Sequence, residues 1–224
     1  MKKRVTKILF INTPRLTLKQ LNEYSERSKY YWEVYPPLGF MYLSSAIKNE
    51  IKDVEVKVLD LHLESIKKSQ NNEKVDWLDM TTDEIKEFMP DMVAISVMFG
   101  ASFESAQMIG QFLRKKYPDM IIASGGVHVT GIVKEKNHGL DFNDFVIIKE
   151  SEKHFPQLIK YLNNDTDLVN GVIPIKTDKV RKKEHFTGET DPIEHVDELP
   201  IPDYGIVDIK NYYKHGICDY RNRG

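Results

Sequence analysis

The chain has 224 residues, 41% of them hydrophobic, and its 32 basic and 34 acidic side chains leave a formal net charge of −2, which excludes an overall basic surface for nucleic acid. One cysteine, Cys218, excludes an intramolecular disulfide, a cysteine-rich zinc site and a complete iron–sulfur ligand set. Predominantly apolar stretches, such as residues 92–97, fall far short of the roughly 20 residues of a membrane helix, so we expect a cytoplasmic protein without membrane contact.

Short apolar runs alternate with longer amphipathic segments, a pattern typical of an α/β fold with a parallel sheet. The runs predicted as strands lie at residues 7–12, 54–59, 92–98, 120–124 and 145–148. Amphipathic spacing and capping residues predict helices at about 36–50, 82–89, 102–117, 152–162 and 206–212. We expect the polar stretch at 67–74 to be a loop. Five strands joined in this way predict a flavodoxin-like doubly wound five-stranded parallel sheet of order 2-1-3-4-5.

From about residue 164 the amphipathic pattern gives way to a polar segment that contains several prolines. Proline fixes the backbone and removes a hydrogen-bond donor, so this composition is typical of a linker. The sequence therefore predicts a domain at residues 1–163, followed by a C-terminal linker at residues 164–224.

The loops after the strands do not match three common occupants of such a sheet. The first loop, Asn12-Thr13-Pro14-Arg15-Leu16, is not the glycine-rich turn of a dinucleotide site. The chain also lacks the Gly-Lys-Ser/Thr ending of a phosphate-binding P-loop. The third strand runs into Met98-Phe99-Gly100, without the acidic residues that a phosphoryl-acceptor receiver domain needs.

Four other segments follow the predicted strands, at the edge where ligands of this fold bind. Gly125 and Gly126 remove two side chains beside the sheet, which would let a bulky group press against the backbone. Ser96 and Ser124 would add small hydroxyls along the same channel. The alternative is structural, with a tight glycine turn and serines that pack the core. The four segments are residues 36–39, 96–102, 124–128 and 149–152.

The order of these motifs resembles a known family. Pro36-Pro37-Leu38-Gly39 follows the first strand, and the run SGGVHVT at residues 124–130 follows the fourth. A Glu-x-Glu follows the fifth strand, and the chain closes on ELPIPDYGIVDI at residues 198–209. In this order the motifs resemble the N-terminal cobalamin-binding domain of B12-dependent radical SAM enzymes, over nearly the whole chain.

That resemblance implies a corrin ring over the carboxyl ends of the strands and a dimethylbenzimidazole nucleotide tail in a channel beside the third and fourth strands. The implied cofactor is cobalamin, held base-off. Carried over residue by residue, the resemblance lines the tail channel with Ser96, Ser124, Gly125 and Gly126. It implies that further residues bind near the ring or the tail: Pro37, Met98, Phe99, Gly100, Val127, His128, Glu150, Ser151 and Glu152.

The fifth loop and the axial ligand depart from the patterns of cobalamin proteins. The usual Gly-Glu-Gly/Ala-Glu is Lys149-Glu150-Ser151-Glu152 here, so two expected glycines carry side chains. Other base-off proteins place Asp-x-His-x-x-Gly after the first strand, with the imidazole on cobalt and the acid orienting it. Asp60-Leu61-His62 lacks the glycine and follows the second strand, so we interpret it as a coincidence. His128 is better placed, yet histidines there more often hydrogen-bond neighbouring loops, and the lower axial ligand stays open.

In full-length family members the linker leads to a radical SAM domain that starts near a Cys-x-x-x-Cys-x-x-Cys motif, often introduced by Arg-Gly. This chain ends Arg221-Asn222-Arg223-Gly224, so we expect a piece cut before the first cluster cysteine, with a natural terminus as the alternative. The implied partner is the radical SAM domain of the same parent chain, with its 4Fe-4S cluster and S-adenosylmethionine. Cys218 would then not be a cluster ligand.

The resemblance implies that this segment holds cobalamin for radical or methyl-transfer chemistry in the intact enzyme and is catalytically silent alone. Two alternatives belong to other classes. A degenerate flavodoxin-like docking module without cofactor would account for the missing glycines of the fifth loop. A hydrolase would use Ser102 or Ser124 with His128, but neither serine lies in a Gly-x-Ser-x-Gly elbow and no acid partner is evident.

Overall fold

The computed structural model describes residues 4–15, 34–135, 137–163, 171–176, 190 and 193–215. Cys218 and the terminal residues 221–224 lie outside the described residues. The strands are β1 (Lys7–Asn12), β2 (Glu55–Asp60), β3 (Met92–Ser96), β4 (Ile121–Gly125), β5 (Phe145–Ile147) and β6 (Val172–Pro174). The helices are α1 (Leu38–Glu50), α2 (Leu61–Gln70), α3 (Trp77–Phe88), α4 (Phe103–Lys116), α5 (Val127–Ile132), α6 (Ser151–Leu162) and α7 (Ile209–His215).

The strands form one α/β sheet of order β2-β1-β3-β4-β5-β6. The first five strands are parallel, and β6 pairs antiparallel with β5. The predicted count of five strands is therefore wrong, and the sheet has a sixth strand at its end. That strand, Val172–Pro174, lies in the segment that the sequence assigns to the linker. Its three residues are too few for a visible alternation of apolar and polar side chains.

The central strands are buried on both faces, and this burial produces their continuous apolar sequences. In β1 the four residues from Ile8 to Ile11 are all fully buried. Helices α1 and α6 cover the face that includes Phe10, Ala94 and Ala123. Helices α2, α3 and α4 cover the opposite face, which includes Ile95. The sheet is therefore the middle layer of three, and its carboxyl edge is open for a ligand.

Helices α2 and α5 are not among the predicted helices, and α3 and α7 differ from their predicted bounds by three residues or more. Residues 61–70 form α2, which includes part of the stretch predicted as a loop, because the carboxylate of Asp60 accepts hydrogen bonds from the first-turn amides of His62 and Leu63. Helix α3 begins at residue 77 and not at 82, since Asp76 is its N-cap. Helix α7 covers residues 209–215 and not 206–212, and its predicted first residue, Ile206, ends a 3-10 turn at residues 204–206.

The segment after β6 returns to the domain and is attached to α1. The backbone amide of Asp203 donates to the carbonyl of Met41, and its carboxylate accepts from Ser44 Oγ at 2.7 Å and Lys48 Nζ at 2.6 Å. Ser45 Oγ donates to the carbonyl of Ile201 at 2.6 Å. Residues 201–203 are thus fixed against the same helix that borders the open edge of the sheet.

Candidate functional site

A cavity of about 690 Å³ opens at the carboxyl edge of the sheet. Its walls come from α1, through Leu38, Phe40 and Leu43, and from α6, through Glu152 and Phe155. Its floor comes from the ends of β3, β4 and β5. The two walls belong to the helices that cover one face of the sheet, so the cavity lies between that helical layer and the strands. Its volume is within the range of small-molecule and cofactor sites.

Small side chains on β3 and β4 create the depth of this cavity. Ala94 and Ser96 alternate along β3 and therefore face the same side of the sheet, and Ser96 pairs with Gly125 of β4. A Cβ atom on Gly125 would lie 3.4 Å from the carbonyl oxygen of Ile147 and 3.5 Å from Ser151 Oγ. Ordinary van der Waals contact would thus begin at the first added carbon, and anything larger than alanine would extend into the cavity.

A glycine is needed at position 126 for a different reason from that at position 125. Its φ is 118°, and a Cβ atom would lie 2.5 Å from the carbonyl oxygen of Val97. Only glycine accepts this close approach of the β4–α5 turn to the end of β3. The turn is further tied by a hydrogen bond from the amide of Val97 to the carbonyl of Gly125. Gly125 therefore leaves space in the cavity, whereas Gly126 permits the turn itself.

The cavity brings together most of the residues that the sequence singles out. Gly100 and His128 are not among its lining residues. A Cβ on Gly100 would lie 3.6 Å from His128 Cε1, and the His128 ring packs edge-on against Phe103 with 4.9 Å between ring centroids. The predicted residues that line the cavity are Pro37, Ser96, Met98, Phe99, Ser124, Gly125, Gly126, Val127, Glu150, Ser151 and Glu152.

The two serines of the predicted channel differ in what their hydroxyls contact. Ser124 Oγ donates to Asn143 Oδ1 at 2.7 Å, and both residues are fully buried. Because Ser124 precedes Gly125 in the strand, their side-chain positions face opposite sides of the sheet. Ser124 therefore borders the cavity while its hydroxyl binds the β4–β5 connection. Ser96 is the one of the two whose side chain shares a face with Ala94.

In the loop after β5, Lys149 adopts a backbone conformation that is more usual for glycine. Lys149 has φ of 53°, a left-handed conformation that is unusual for a lysine. Its amide donates to Thr130 Oγ1 at 3.1 Å, and Thr130 Oγ1 donates to the carbonyl of Gly126 at 3.0 Å. The loop is thus held to the first turn of α5 by its backbone.

Charged side chains of both signs border the cavity. Arg15 and Lys149 are its cationic lining residues, and Glu150 and Glu152 are its acidic ones. Burial raises the pKa of Glu152 above its usual value, and the charge of nearby Glu150 raises the pKa further. The Arg15 guanidinium lies over the ring of Phe99, 4.6 Å from its centroid. A ligand at this edge would therefore meet charged groups of both signs next to exposed apolar side chains.

Sequence reasoning missed several residues of the site. Asn12 ends β1 and Arg15 follows it, so both could have been included by the rule that ligands bind at the carboxyl ends of strands. Ala94 could have been identified as an unusually small residue inside a central strand. Tyr35 and Leu43 give no such signal, because their place in the wall depends on how α1 packs. All five line the cavity.

The acid of the Asp60-Leu61-His62 sequence has a structural role at the start of α2. Besides capping that helix, Asp60 accepts a hydrogen bond from the hydroxyl of Tyr212 at 2.9 Å and one from the side chain of Asn12. Burial raises the pKa of Asp60, although these hydrogen bonds oppose the rise. Burial next to Asp60 also raises the pKa of Tyr212, which keeps its hydroxyl protonated.

His62 lines a second, smaller cavity of about 50 Å³. It shares six lining residues with the main one: Asn12, Arg15, Tyr35, Ser96, Met98 and Phe99. Among the described residues, no group of three or more histidine, cysteine, aspartate or glutamate side chains has the arrangement of a metal site. No helix in the described part of the chain is long and apolar enough to cross a membrane.

Comparison with known proteins agrees with this fold. Our chain is similar in structure to the cobalamin-dependent S-adenosylmethionine radical enzyme OxsB in its apo, selenomethionine-labelled form, with a TM-score of 0.55 and 19% sequence identity. The superposition covers 92% of our chain and 25% of the OxsB chain. The uncharacterized methyltransferase PH0819 of Pyrococcus horikoshii is 26% identical over 188 residues, which are 81% of our chain and 36% of PH0819. Our chain thus spans only about a quarter to a third of these relatives.

Residues 32–159, more than half of the chain, match the family model described as the B12 binding domain. The matched range begins just before α1 and ends within α6. It therefore contains both walls of the cavity and the strand ends β3, β4 and β5 that form its floor. The chain belongs to the B12 binding domain family.

Proposed function

We propose that this chain binds cobalamin base-off, with the nucleotide tail in the cavity between α1, α6 and the ends of β3 and β4. The observation that carries the proposal is the floor of Ala94, Ser96 and Gly125, which gives the cavity depth beside an otherwise tightly packed sheet. A flat planar base with an attached sugar needs such a slot between helix and strand. The apolar walls provided by Phe40 and Phe155 suit the base.

The rim of the cavity supports a place for the corrin ring above it. Five large apolar side chains there are about half exposed or more, which is unusual for a protein surface and typical of a surface that is covered by a ligand or partner. The exposed fractions are 50% for Tyr35, 50% for Leu38, 47% for Met98, 48% for Phe99 and 69% for Val127. We infer that the corrin ring contacts these side chains and shields them from water.

The residues of the chain would hold and orient the cofactor, and the chemistry would belong to the cofactor. Ser96 would offer a hydroxyl to the tail, and Gly125 would allow close approach to the backbone. Glu150 and Ser151 would border the ring or the tail from the β5 loop, whose backbone conformation Lys149 preserves. When bound, cobalamin supplies a cobalt centre that can carry a methyl group or an electron.

We further propose that the parent protein is longer and that a radical SAM domain, with a 4Fe-4S cluster and S-adenosylmethionine, uses this cobalamin. Support comes from the relatives, in which the segment similar to our chain is a minor part of the whole. Methyl transfer is the reaction class that we favour, because one of those relatives is named as a methyltransferase. Alone, the 224-residue chain should bind the corrinoid without catalysing a reaction.

The visible absorption spectrum of the protein after incubation with hydroxocobalamin and desalting tests the binding proposal. We expect the colour to be retained with a base-off spectrum. Gly125→Leu should abolish retention, because its side chain would occupy the slot. Gly131→Leu is the matched control, since a Cβ at Gly131 meets nothing within 4 Å and Gly131 does not line the cavity. Loss of colour from the wild type, or its retention by Gly125→Leu, would contradict the proposal.

Two histidine variants address the lower axial position in the same assay. His128→Ala should retain the base-off spectrum, because His128 packs on Phe103 away from the cavity. His62→Ala should do the same, since His62 opens onto the smaller cavity. A shift of the spectrum in one variant alone would assign that histidine as a cobalt ligand. A wild type that folds but binds no corrinoid would instead support the docking module without cofactor.

A further inference from the structure

A hydrogen-bonded connection leads from the C-terminal helix α7 to the wall of the cavity. Its first member, Tyr212, is only 6% exposed, and its hydroxyl donates to Oδ2 of Asp60 at 2.9 Å. Asp60 is itself 5% exposed. These two residues are 152 positions apart in the sequence, so folding of the segment after β6 onto the domain is what brings them together.

Asp60, which the hydroxyl of Tyr212 holds in place, is next to Asn12 in the sheet. The two residues are direct partners in the parallel pairing of β1 with β2, at the last position of both strands. This pairing places the side chain of Asn12 next to the carboxylate of Asp60, whose charged form it stabilises, as an N–H donor does. A carboxylate accepts and does not donate, so the amide nitrogen of Asn12 must be the group that faces Asp60. The amide is planar, and its carbonyl oxygen therefore points away from Asp60.

Asn12 lines the main cavity together with Ser96, its partner in β3. Strands β2 and β3 lie on opposite sides of β1, so Asn12 is between Asp60 and the cavity floor. We propose that Tyr212 and Asp60 are positioning residues that fix the amide of Asn12, so that its carbonyl oxygen is presented to the cavity as an acceptor for an N–H group of the bound ligand. The chemical class recognised is a neutral carboxamide, because a carbonyl oxygen repels phosphate and carboxylate oxygens. This inference rests on the proposed function, since cobalamin carries carboxamides around its corrin ring.

The test is a double-mutant cycle on the dissociation constant for hydroxocobalamin, measured by absorbance titration with the 224-residue chain. Tyr212→Phe keeps the ring and removes the hydroxyl. We expect it to weaken binding by about five-fold, the factor that one hydrogen bond of ordinary net strength contributes to an equilibrium constant. Tyr213→Phe, the same change at a neighbouring side chain that is 79% exposed, should leave the dissociation constant unchanged.

The cycle separates positioning from a general loss of structure. Asn12→Ala should weaken binding by a similar factor, and Tyr212→Phe should add nothing in the Asn12→Ala background, because it acts through Asn12. Full additivity of the two effects, or wild-type affinity for Tyr212→Phe, would overturn the inference. Hydrogen exchange of the amides in 209–215 gives a second measurement. Binding should slow this exchange in the wild type and not in Asn12→Ala, since coupling between two sites is reciprocal.

The two proposals fail in distinguishable ways. If the wild type does not bind hydroxocobalamin, the proposed function fails and this inference with it. If the wild type binds with the same dissociation constant as Tyr212→Phe, the proposed function stands and only the positioning role of Tyr212 and Asp60 is refuted. Asp60→Asn adds a check that retains the N-cap of α2, and it should weaken binding as Tyr212→Phe does.

Discussion

Gly126→Ala should strongly destabilise the fold although it adds a single methyl group. The new Cβ would lie 2.5 Å from the carbonyl oxygen of Val97 and 3.2 Å from its amide nitrogen, and both atoms belong to backbone that is fixed at the end of β3. The residue also has φ of 118° and ψ of 169°, a region that is nearly restricted to glycine. Neither the conformation nor the contact can be relieved by a rotation of a side chain.

The size of the stability loss follows from the backbone conformation of residue 126 and from the close contact of the new Cβ. A non-glycine residue in such a conformation costs about 1–3 kcal/mol, and overpacking against fixed atoms costs about as much again. We therefore expect the free energy of unfolding to fall by about 2–6 kcal/mol, a large part of the roughly 5–15 kcal/mol of a typical domain. For a chain of this size the change lowers Tm by about 5–20 °C.

Thermal and urea unfolding, followed by circular dichroism, measure this effect. Gly131→Ala is the control, because a Cβ there meets nothing within 4 Å and alanine is favoured in a helix by about 1 kcal/mol. Gly125→Ala should change stability by less than about 1 kcal/mol, since its Cβ would make only ordinary contacts. A Gly126→Ala protein as stable as the wild type would refute the assignment of Gly126 to folding.

Three further predictions concern other contacts. Arg114→Met leaves the fully buried carboxylate of Asp144 without the guanidinium that lies 2.7 Å away, so the free energy of unfolding in urea should fall by about 3–5 kcal/mol. Lys149→Gly should raise that free energy by up to about 1 kcal/mol, because glycine adopts φ of 53° without steric cost. Burial alone would raise the pKa of Asp203, but hydrogen bonds from Lys48 and Ser44 outweigh burial and hold the pKa below its usual value. A lowered pKa contributes stability above about pH 4 that is lost as pH falls through the folded-state value, so the Tm difference between wild type and Asp203→Asn should vanish in acid.

The first two of these predictions have control variants, and each of the three has a contradicting result. Lys115→Met removes an exposed charge from the same helix as Arg114 and should cost little, so equal losses would contradict the role of the Asp144 pair. Lys149→Ala keeps the unfavourable φ, and a gain as large as that of Lys149→Gly would show that the lysine side chain, and not its backbone, is unfavourable. A difference between wild type and Asp203→Asn that grows in acid would mean that the pKa of Asp203 is raised.

The buried parallel strands are the part of the fold that the sequence predicts best. Strand β1 lies at the predicted residues 7–12, because a strand covered on both faces needs an unbroken apolar run. Strand β3 ends at Ser96 and not at 98, because its partner β4 itself ends at Gly125, which pairs with Ser96 and accepts a hydrogen bond from the amide of Val97. Periodicity locates such a strand, but it does not show where its pairing stops.

Short elements were not predictable from local pattern. Helix α5 has six residues and begins after the positive φ of Gly126, so the run SGGVHVT looks like a loop in sequence. Strand β6 is defined by its pairing with β5, and no local feature of residues 172–174 predicts this pairing. Helix α2 has a polar second half, and its N-cap at Asp60 also serves Tyr212, a contact that depends on the tertiary fold.

The site was predictable to the extent that it consists of strand ends. Parallel strands place their carboxyl ends at one edge, so loops that are far apart in sequence must meet there. The position of Gly125 in the floor follows from this rule. The rule does not show that the hydroxyl of Ser124 bonds to Asn143, or that His128 packs behind Gly100. Those contacts depend on side-chain direction and on the packing of α4 and α5.

The sixth strand has a consequence for self-association. A parallel sheet that ended at β5 would present a hydrophobic strand with unpaired backbone groups, which is a template for pairing with another chain. Here the terminal strand is only three residues long and includes Pro174, which has no N–H to donate. A second molecule approaching this edge would find a short and interrupted hydrogen-bonding surface. The antiparallel addition thus protects the sheet against aggregation along this side.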